Sequence, residues 1–415
     1  MSCSSCDEKN VYSKIIEPIE QPLKETEQNL KHHHNEKFTF YNFSYLLIFY
    51  FVSGQKSLNQ FIDSLKKEQF QPELNLNYVP YSTFKDGFER FSPDLFRNLF
   101  VNLLSVITIA SIPELNSLGQ LCCVDGSLLP TLSNMSWAKY KTGTNAIKIH
   151  LCFNLNKMIP GQFIVGTGNS CERKALLKML TSGITYIADR GYSSFNIFDI
   201  IIRNDAFFIF RAKNNIIIKK VVENLKIEIS NSISKLFRNV TDQIIMYKND
   251  QFKNKIRLVC FEIGEEIYYI VTNRFDLTTE QIIILYAYRW QIELFFRYMK
   301  RTINGLHLII NTKDGVTIQF YVIMIASLLM LNFKQDCIDK KDDLEKDSSM
   351  SSKFEDKTSN ISNRIGNVRR APELLKKLGQ NYKKYWKIGI LWLNTMRSKL
   401  HKVFDSRAIY LLGGG

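Results

Sequence analysis

A chain of 415 residues, 45% hydrophobic and 23% charged, can bury a sizeable core, which excludes a disordered chain and leaves room for two or three domains. With 55 Lys and Arg against 40 Asp and Glu the formal net charge is +15, so a polyanion is the expected partner, nucleic acid before an anionic membrane surface. The polar start MSCSSCDEKN has no apolar stretch behind a basic end, which argues against a secretory signal peptide and for a cytoplasmic protein.

Residues 1–36 are polar and are expected to form a poorly ordered arm. From Phe38 to about Ile112 the apolar spacing is helical, with start signals at Ser57, at Ser82 and at Ser92, the last followed by proline. Segment 37–117 is therefore expected to be an all-α domain, whose short helices suit a DNA-binding head and a structural bundle equally well. The apolar run from Phe38 and a second from Thr317 fall short of the ~20 residues a membrane span needs and carry polar interruptions. Both are expected as buried core helices, with no membrane partner.

The period then changes. GQLCCVDG (119–126) reads as a strand closed by an Asp-Gly turn, and KIHLCFNL (148–155) with GQFIVGTG (161–168) reads as a hairpin. ERKALLKML is helical, ITYIADRGY (184–192) is a strand ending in polar residues, SSFNIFDIII is helical and AFFIFRAK (206–213) is again a strand. That order makes a mixed α/β sheet over 118–213. Short β-branched segments over 214–277 predict a β-rich insertion. A single helix is expected from Thr278, opened by a capping box, within a second core segment 278–334. Residues 335–365 are dense in Lys, Asp, Glu and Ser and read as a disordered linker. The end, 366–415, holds a basic amphipathic helix over 376–404 with Trp386 and Trp392. Among the eight cysteines only Cys3 and Cys6 make a CxxC, far from His32, His33 and His34, so reduced thiols are expected rather than a zinc site.

Chemistry is expected at acids that follow apolar strands, because open α/β sheets place their sites at the carboxyl ends of strands. Asp125 in CCVDGS and Asp189 in IADRGY both qualify, although each alone reads equally as a turn-forming aspartate. In YAYRWQIELFFRYMK (286–300), Tyr286, Arg289, Glu293 and Lys300 fall within an arc of roughly 60° on a continuous helix, and Trp290 and Arg297 widen it to about 100°. An ion-pair triad of Glu293 with Arg289 and Arg297 competes with a functional reading. The surplus of cations and the tryptophan favour a DNA-facing stripe around one carboxylate. Three acids of this kind suit a two-metal phosphoryl-transfer site, in which hard oxygen ligands hold two Mg²⁺ about 3.5–4 Å apart.

On these residues the chain resembles the IS4 family of bacterial DDE transposases. Tyr286, Arg289, Glu293 and Lys300 match the family's Y-(2)-R-(3)-E-(6)-K signature, VDGS its first-aspartate region and ADRGY its second. The resemblance covers about 119–333. It implies an RNase H-like fold with a β-rich insertion before the catalytic helix, and Asp125, Asp189 and Glu293 as catalytic ligands of two Mg²⁺, with Mn²⁺ able to substitute. It also implies contacts to double-stranded DNA from Tyr286, Arg289, Trp290, Arg297 and Lys300, with Arg190 and Tyr192 supporting the second aspartate's loop. The DNA would be the terminal inverted repeats and the target, held by a homodimer. The insertion has no tryptophan, the residue that members cutting through a hairpin intermediate commonly use to hold a flipped base. The alternative is a non-enzymatic or inactivated DNA-binding protein of the same fold.

Overall fold

A computed structural model of the protein describes residues 11–31, 38–53, 57–65, 78–131, 134–214, 217–229, 237–263, 265–301 and 307–347. They form two compact units. One is built from the described residues up to Leu180 together with Trp290–Phe333, the other from Thr181–Arg289 together with the described residues from Lys334 on. The expected helix over 376–404 lies outside the described residues.

The first unit begins with α1 (Val11–Gln28), α2 (Phe40–Ser53), α3 (Leu58–Leu65), α4 (Tyr81–Arg90) and α5 (Pro93–Val106). Phe43 stands among the rings of Phe84, Phe88, Phe91 and Phe96, with centroids 5.0 to 6.0 Å away. Gly87 permits this approach, since a Cβ there would lie 2.6 Å from the Phe43 ring. Its cost of ~1 kcal/mol in a helix is offset by the ring packing.

The structure corrects the expected N-terminal arm: α1 buries Tyr12, Ile15, Ile16, Ile19 and Leu23, a helical stripe that outweighs the polar composition around it. The Tyr12 hydroxyl donates to the Tyr45 carbonyl at 2.9 Å. The start signal at Ser82 is displaced too. α4 opens at Tyr81 behind Pro80 with no side-chain cap, held instead by buried Phe84 and Phe88. Ser92 caps α5 as expected, accepting from the Asp94 amide at 3.2 Å ahead of Pro93.

After the short α6 (Pro113–Asn116) come β1 (Gln120–Pro130), β2 (Ala146–Asn154) and β3 (Ile159–Thr167), an antiparallel meander with β2 in the middle. The hairpin matches expectation, but the Asp-Gly turn does not occur. Asp125 pairs with Leu151 and Gly126 with His150, and the ladder continues to Pro130. The long apolar partner strand supplies a hydrogen-bonded neighbour for each residue beyond Gly126, so β1 has no reason to turn there. The register also puts Val124 opposite Cys152 and leaves Cys122 diagonally beside it on the same face. Cys122 and Cys152 form a disulfide with Cα atoms 5.8 Å apart, which corrects the reading of these two as reduced thiols.

Alternation divides the two faces of β1 and β2. α7 (Glu172–Lys178) brings Glu172 against the Gly126 face, and α10 (Trp290–Arg301) brings the Phe295 ring to 5.3 Å from Phe153 on the Asp125 face. α11 (Lys313–Asp347) contributes its part up to Phe333 to this unit, with the Tyr321 ring 4.6 Å from Phe163 and 6.1 Å from Phe100. By length and composition its first part could cross a membrane, yet 78% of that apolar window is buried inside the protein. α2 is buried along nearly its whole length as well, so both apolar runs are core helices. The start of the expected linker, 335–347, is helical instead. That run has neither Pro nor Gly, and extending a formed helix gains a hydrogen bond for each residue fixed.

In the second unit β4 (Ile184–Ala188), α8 (Phe195–Arg203) and β5 (Phe207–Arg211) make a parallel crossover, with Phe198 stacked 4.6 Å from Phe208. β6 (Ile218–Asn224), β7 (Arg238–Tyr247), β8 (Ile256–Ile263) and β9 (Glu266–Thr272) follow as an antiparallel run. β9 pairs with β5, so the strand order is β4-β5-β9-β8-β7-β6 and the expected insertion extends the sheet that carries Asp189. The units divide at 180/181, 289/290 and 333/334.

α9 (Thr279–Tyr288) starts from the expected capping box, here between Thr278 and Gln281. The single helix expected beyond it is two. Arg289 keeps helical dihedrals, φ −50° and ψ −32°, but its amide bonds to Tyr286 O, three residues back, at 3.1 Å. The tighter closure separates α9 from α10 (Trp290–Arg301) at Arg289.

Buried polar groups fix α9 to the sheet. Arg257 on β8 and Asp242 on β7 are 3% and 2% exposed. The guanidinium grips the carboxylate at 2.9 and 2.7 Å, donates to the Arg274 and Leu277 carbonyls, and the Thr279 hydroxyl donates to the same carboxylate at 2.7 Å. Arg257→Met leaves Asp242 buried without its counter-charge and is expected to cost about 3–5 kcal/mol. Asp242→Leu in the same chain should recover much of that loss, and denaturant midpoints of the single and double variants measure both.

Candidate active site

In the first unit Asp125 lies in mid-strand, half-buried, its Oδ1 accepting from the Gly126 amide at 2.8 Å. Glu293 is in the first turn of α10. Lys300, near the other end of that helix, donates to the Leu128 carbonyl of β1 at 3.1 Å. Burial lowers the Lys300 pKa while the negative charge of Asp125 opposes the shift. The structure thus brings Asp125 and Lys300 into one electrostatic neighbourhood on the β1 face covered by α10. Trp290 is half-buried and Arg297 exposed.

In the second unit Asp189 directly follows β4, where the strand-end rule placed it. Its Oδ1 accepts from the Arg190 amide at 2.7 Å, and its carbonyl accepts from the Tyr192 amide at 3.1 Å, closing a turn. Arg190 is exposed, whereas the Tyr192 ring is buried, 6.4 Å from Phe210. Tyr286 is only 8% exposed, a core position rather than a surface one. Burial pushes its hydroxyl up to about 12; Arg289, which hydrogen-bonds it, pulls it down, Asp189 pushes it up, and Arg211 pulls it down.

Arg211 and Glu266, which sequence reasoning passed over, stand with Tyr268 near Tyr286. Arg211 ends β5 and pairs with Glu266 of β9 at 2.6 Å, and Glu266 also accepts from the Tyr268 hydroxyl at 2.9 Å. The Arg211 guanidinium lies 4.6 Å over the Tyr268 ring, itself 6.5 Å from Tyr286. The Arg211 hydrogen bond holds Glu266 below its usual carboxylate pKa, with Tyr268 and Arg190 assisting. Because β5 runs parallel to β4, Arg211 lies at the same sheet end as Asp189, and the signal becomes readable once the strand order is known.

Behind Asp125, on the other face of β1, His150 is buried with Nε2 2.7 Å from Ser170 Oγ. Lys148 and Glu172 pair beside it at 2.9 Å. Burial lowers the His150 pKa to about 4; Lys148 adds to the shift and Glu172 opposes it.

Carboxylate oxygens such as those of Asp125, Asp189 and Glu293 are chemically suited to a hard divalent cation. Among the described residues no three His, Cys, Asp or Glu side chains converge closely enough to enclose an ion.

A family model described as "Transposase DDE domain" matches residues 116–329. The chain is 25% identical over 264 residues to a probable transposase for insertion sequence element IS5377 of Geobacillus stearothermophilus, covering 62% of this chain and 68% of that protein. It is 26% identical to a putative transposase, y4zB, of Sinorhizobium fredii, over 50% of this chain and 59% of that one. It is 23% identical to a putative transposase for insertion sequence element IS4SA of Synechocystis, over 61% and 71%.

The His150 site predicts a pH dependence of stability. Its folded pKa, about 4, lies below the ordinary 6.5, so the unfolded chain binds the proton more tightly. The stabilisation is complete above pH 6.5 and is lost as the pH falls from 6.5 toward 4. The shift corresponds to about 3 kcal/mol. Denaturant midpoints of the wild type and His150→Gln should converge over that window, and parallel curves would contradict the assignment.

Proposed function

The chain belongs to the transposase DDE domain family, and on that premise we propose that it binds the terminal inverted repeats of its own insertion sequence and catalyses Mg²⁺-dependent strand cleavage and strand transfer. The single observation that carries the reading is Asp189 at the end of β4, acting on the Tyr286 hydroxyl on which Arg289 and Arg211 act as well. The Y-R-E-K spacing supports an IS4-type member, and the βαβ unit followed by antiparallel strands supports an RNase H-like core. The +15 charge supports a double-stranded DNA partner, contacted by two copies of the chain.

Asp125, Asp189 and Glu293 would hold the two Mg²⁺, or Mn²⁺ in their place. When bound, the metals supply Lewis acidity to the attacking and leaving oxygens of the phosphodiester. The remaining work belongs to side chains. Exposed Arg297 and half-buried Trp290 offer a cation and a stacking surface to the DNA. Tyr286, largely buried, orients Arg289 through their hydrogen bond, so Arg289 carries the contact and Tyr286 steadies it. Arg190 adds a cation beside Asp189, and the buried Tyr192 ring holds the turn in which that carboxylate sits. Lys300 has donors beyond the one used on Leu128 and can reach a phosphate oxygen with them.

The enzyme reading is tested by incubating the protein with a labelled element-end fragment and Mg²⁺. Asp189→Ala should lose more nicking than the ~10–100-fold typical of an outer-shell partner while still binding the fragment. Equal nicking by wild type and variant would leave a DNA-binding protein without catalysis. For the phosphate contact, Lys300→Ala should reduce the slope of log K against log salt by about one. An unchanged slope would confine Lys300 to its bond with Leu128.

A further inference from the structure

We propose that Lys148, His150 and Glu172 are positioning residues that set the location of the Asp125 carboxylate from the opposite face of β1. The inference rests on the transposase reading and adds residues that neither the acid triad nor the Y-R-E-K signature contains.

Asp125 stands in the middle of an eleven-residue strand, so its carboxylate goes wherever the β1 backbone is held. One face of that backbone is covered by α10. On the other, Gly126 presents no side chain, and three polar groups converge on the empty position. A Cβ at Gly126 would lie 3.3 Å from Glu172 Oε1, 3.3 Å from Lys148 Cε and 3.4 Å from His150 Nδ1. These groups are tied to one another and to the neighbouring chain. His150 pairs across the ladder with Gly126 and reaches Ser170 at 2.7 Å, and Lys148 pairs with Leu128 and reaches Glu172 at 2.9 Å. The layer therefore spans β2, the loop carrying Ser170 and α7, and it bears on β1 at the residue after Asp125.

An apolar filling of the same space would match or exceed the stability of this arrangement, because desolvating an ion pair costs about what the pairing returns. What the polar layer adds is a defined geometry. Ion pair and hydrogen bond each have one best distance, so they hold the strand at one height where methyl groups would let it slide. A metal ligand is sensitive to shifts of that size, since even outer-shell changes cost ~10–100-fold in metal affinity.

The test uses the full chain with Lys148→Met, Glu172→Gln and the conservative Lys148→Arg, each checked for folding by circular dichroism and for metal-free binding of the element-end fragment. The half-saturating Mg²⁺ for nicking should rise about tenfold in Lys148→Met and Glu172→Gln. The Mg²⁺-induced rise in melting temperature, read without any DNA, should shrink in the same two variants. Lys148→Arg should restore both, and fragment binding should not change. Should Lys148→Met fail to fold, Gly126→Ala, which pushes on β1 from the same side, is expected to show the same Mg²⁺ shift. Folded variants with wild-type Mg²⁺ half-saturation and thermal shift overturn the positioning role alone. A wild type that nicks no DNA in Mg²⁺ overturns the transposase reading and this inference with it.

Discussion

The bidentate contact between Arg257 and Asp242 is the point on which the second unit depends. Both groups are almost wholly buried, so neither is tolerable without the other, and the guanidinium spends its remaining donors on the carbonyls of Arg274 and Leu277. That places the segment before α9 against strands β7 and β8, and Thr279 completes the carboxylate's partners from the first residue of α9. The capping box at Thr278 then begins a helix whose far end carries Tyr286 and Arg289. A polar knot among the insertion strands thus fixes the start of the helix on which half of the signature stands.

The insertion also does more than hold a helix. Through β9 it adds to the sheet beside β5 and delivers Glu266 and Tyr268 to Arg211. Arg211 and Arg289 set positive charge against Tyr286, which also feels Asp189, while Arg211 and Arg190 set it against Glu266. Such a balance leaves net positive charge at that end of the sheet. In the first unit the balance is simpler. Lys300 faces Asp125 across the α10–β1 contact, and the desolvation of Lys300 records how closely the helix lies on the strand.

Local chemistry was readable wherever a residue acts through its immediate neighbours. Ser92 before proline, the Thr278 box, the β2–β3 hairpin and Asp189 behind an apolar strand were all expected and all occur. Reading failed where a partner distant in sequence overrode the local signal. Asp125-Gly126 has the composition of a turn, but β2 pairs straight through it. The polar tract after Phe333 has the composition of a linker, but it continues a helix already nucleated in the core. The stripe Tyr12, Ile15, Ile16, Ile19 and Leu23 had the helical period, yet the charged residues between its members concealed it.

Sequence by itself determined the identity and order of the chemical groups. An acid behind each of two apolar runs of sequence, and a third acid spaced among Tyr, Arg and Lys, follow from residue types and intervals, because hard cations and phosphates select such groups whatever the path of the chain. Tertiary structure alone decided what each group meets. The division of Y-R-E-K at Arg289, the burial of Tyr286, the recruitment of Arg211 and Glu266, and the polar layer beneath Gly126 all come from strand order and register. Those depend on pairings between residues tens of positions apart, whose energies no local window contains.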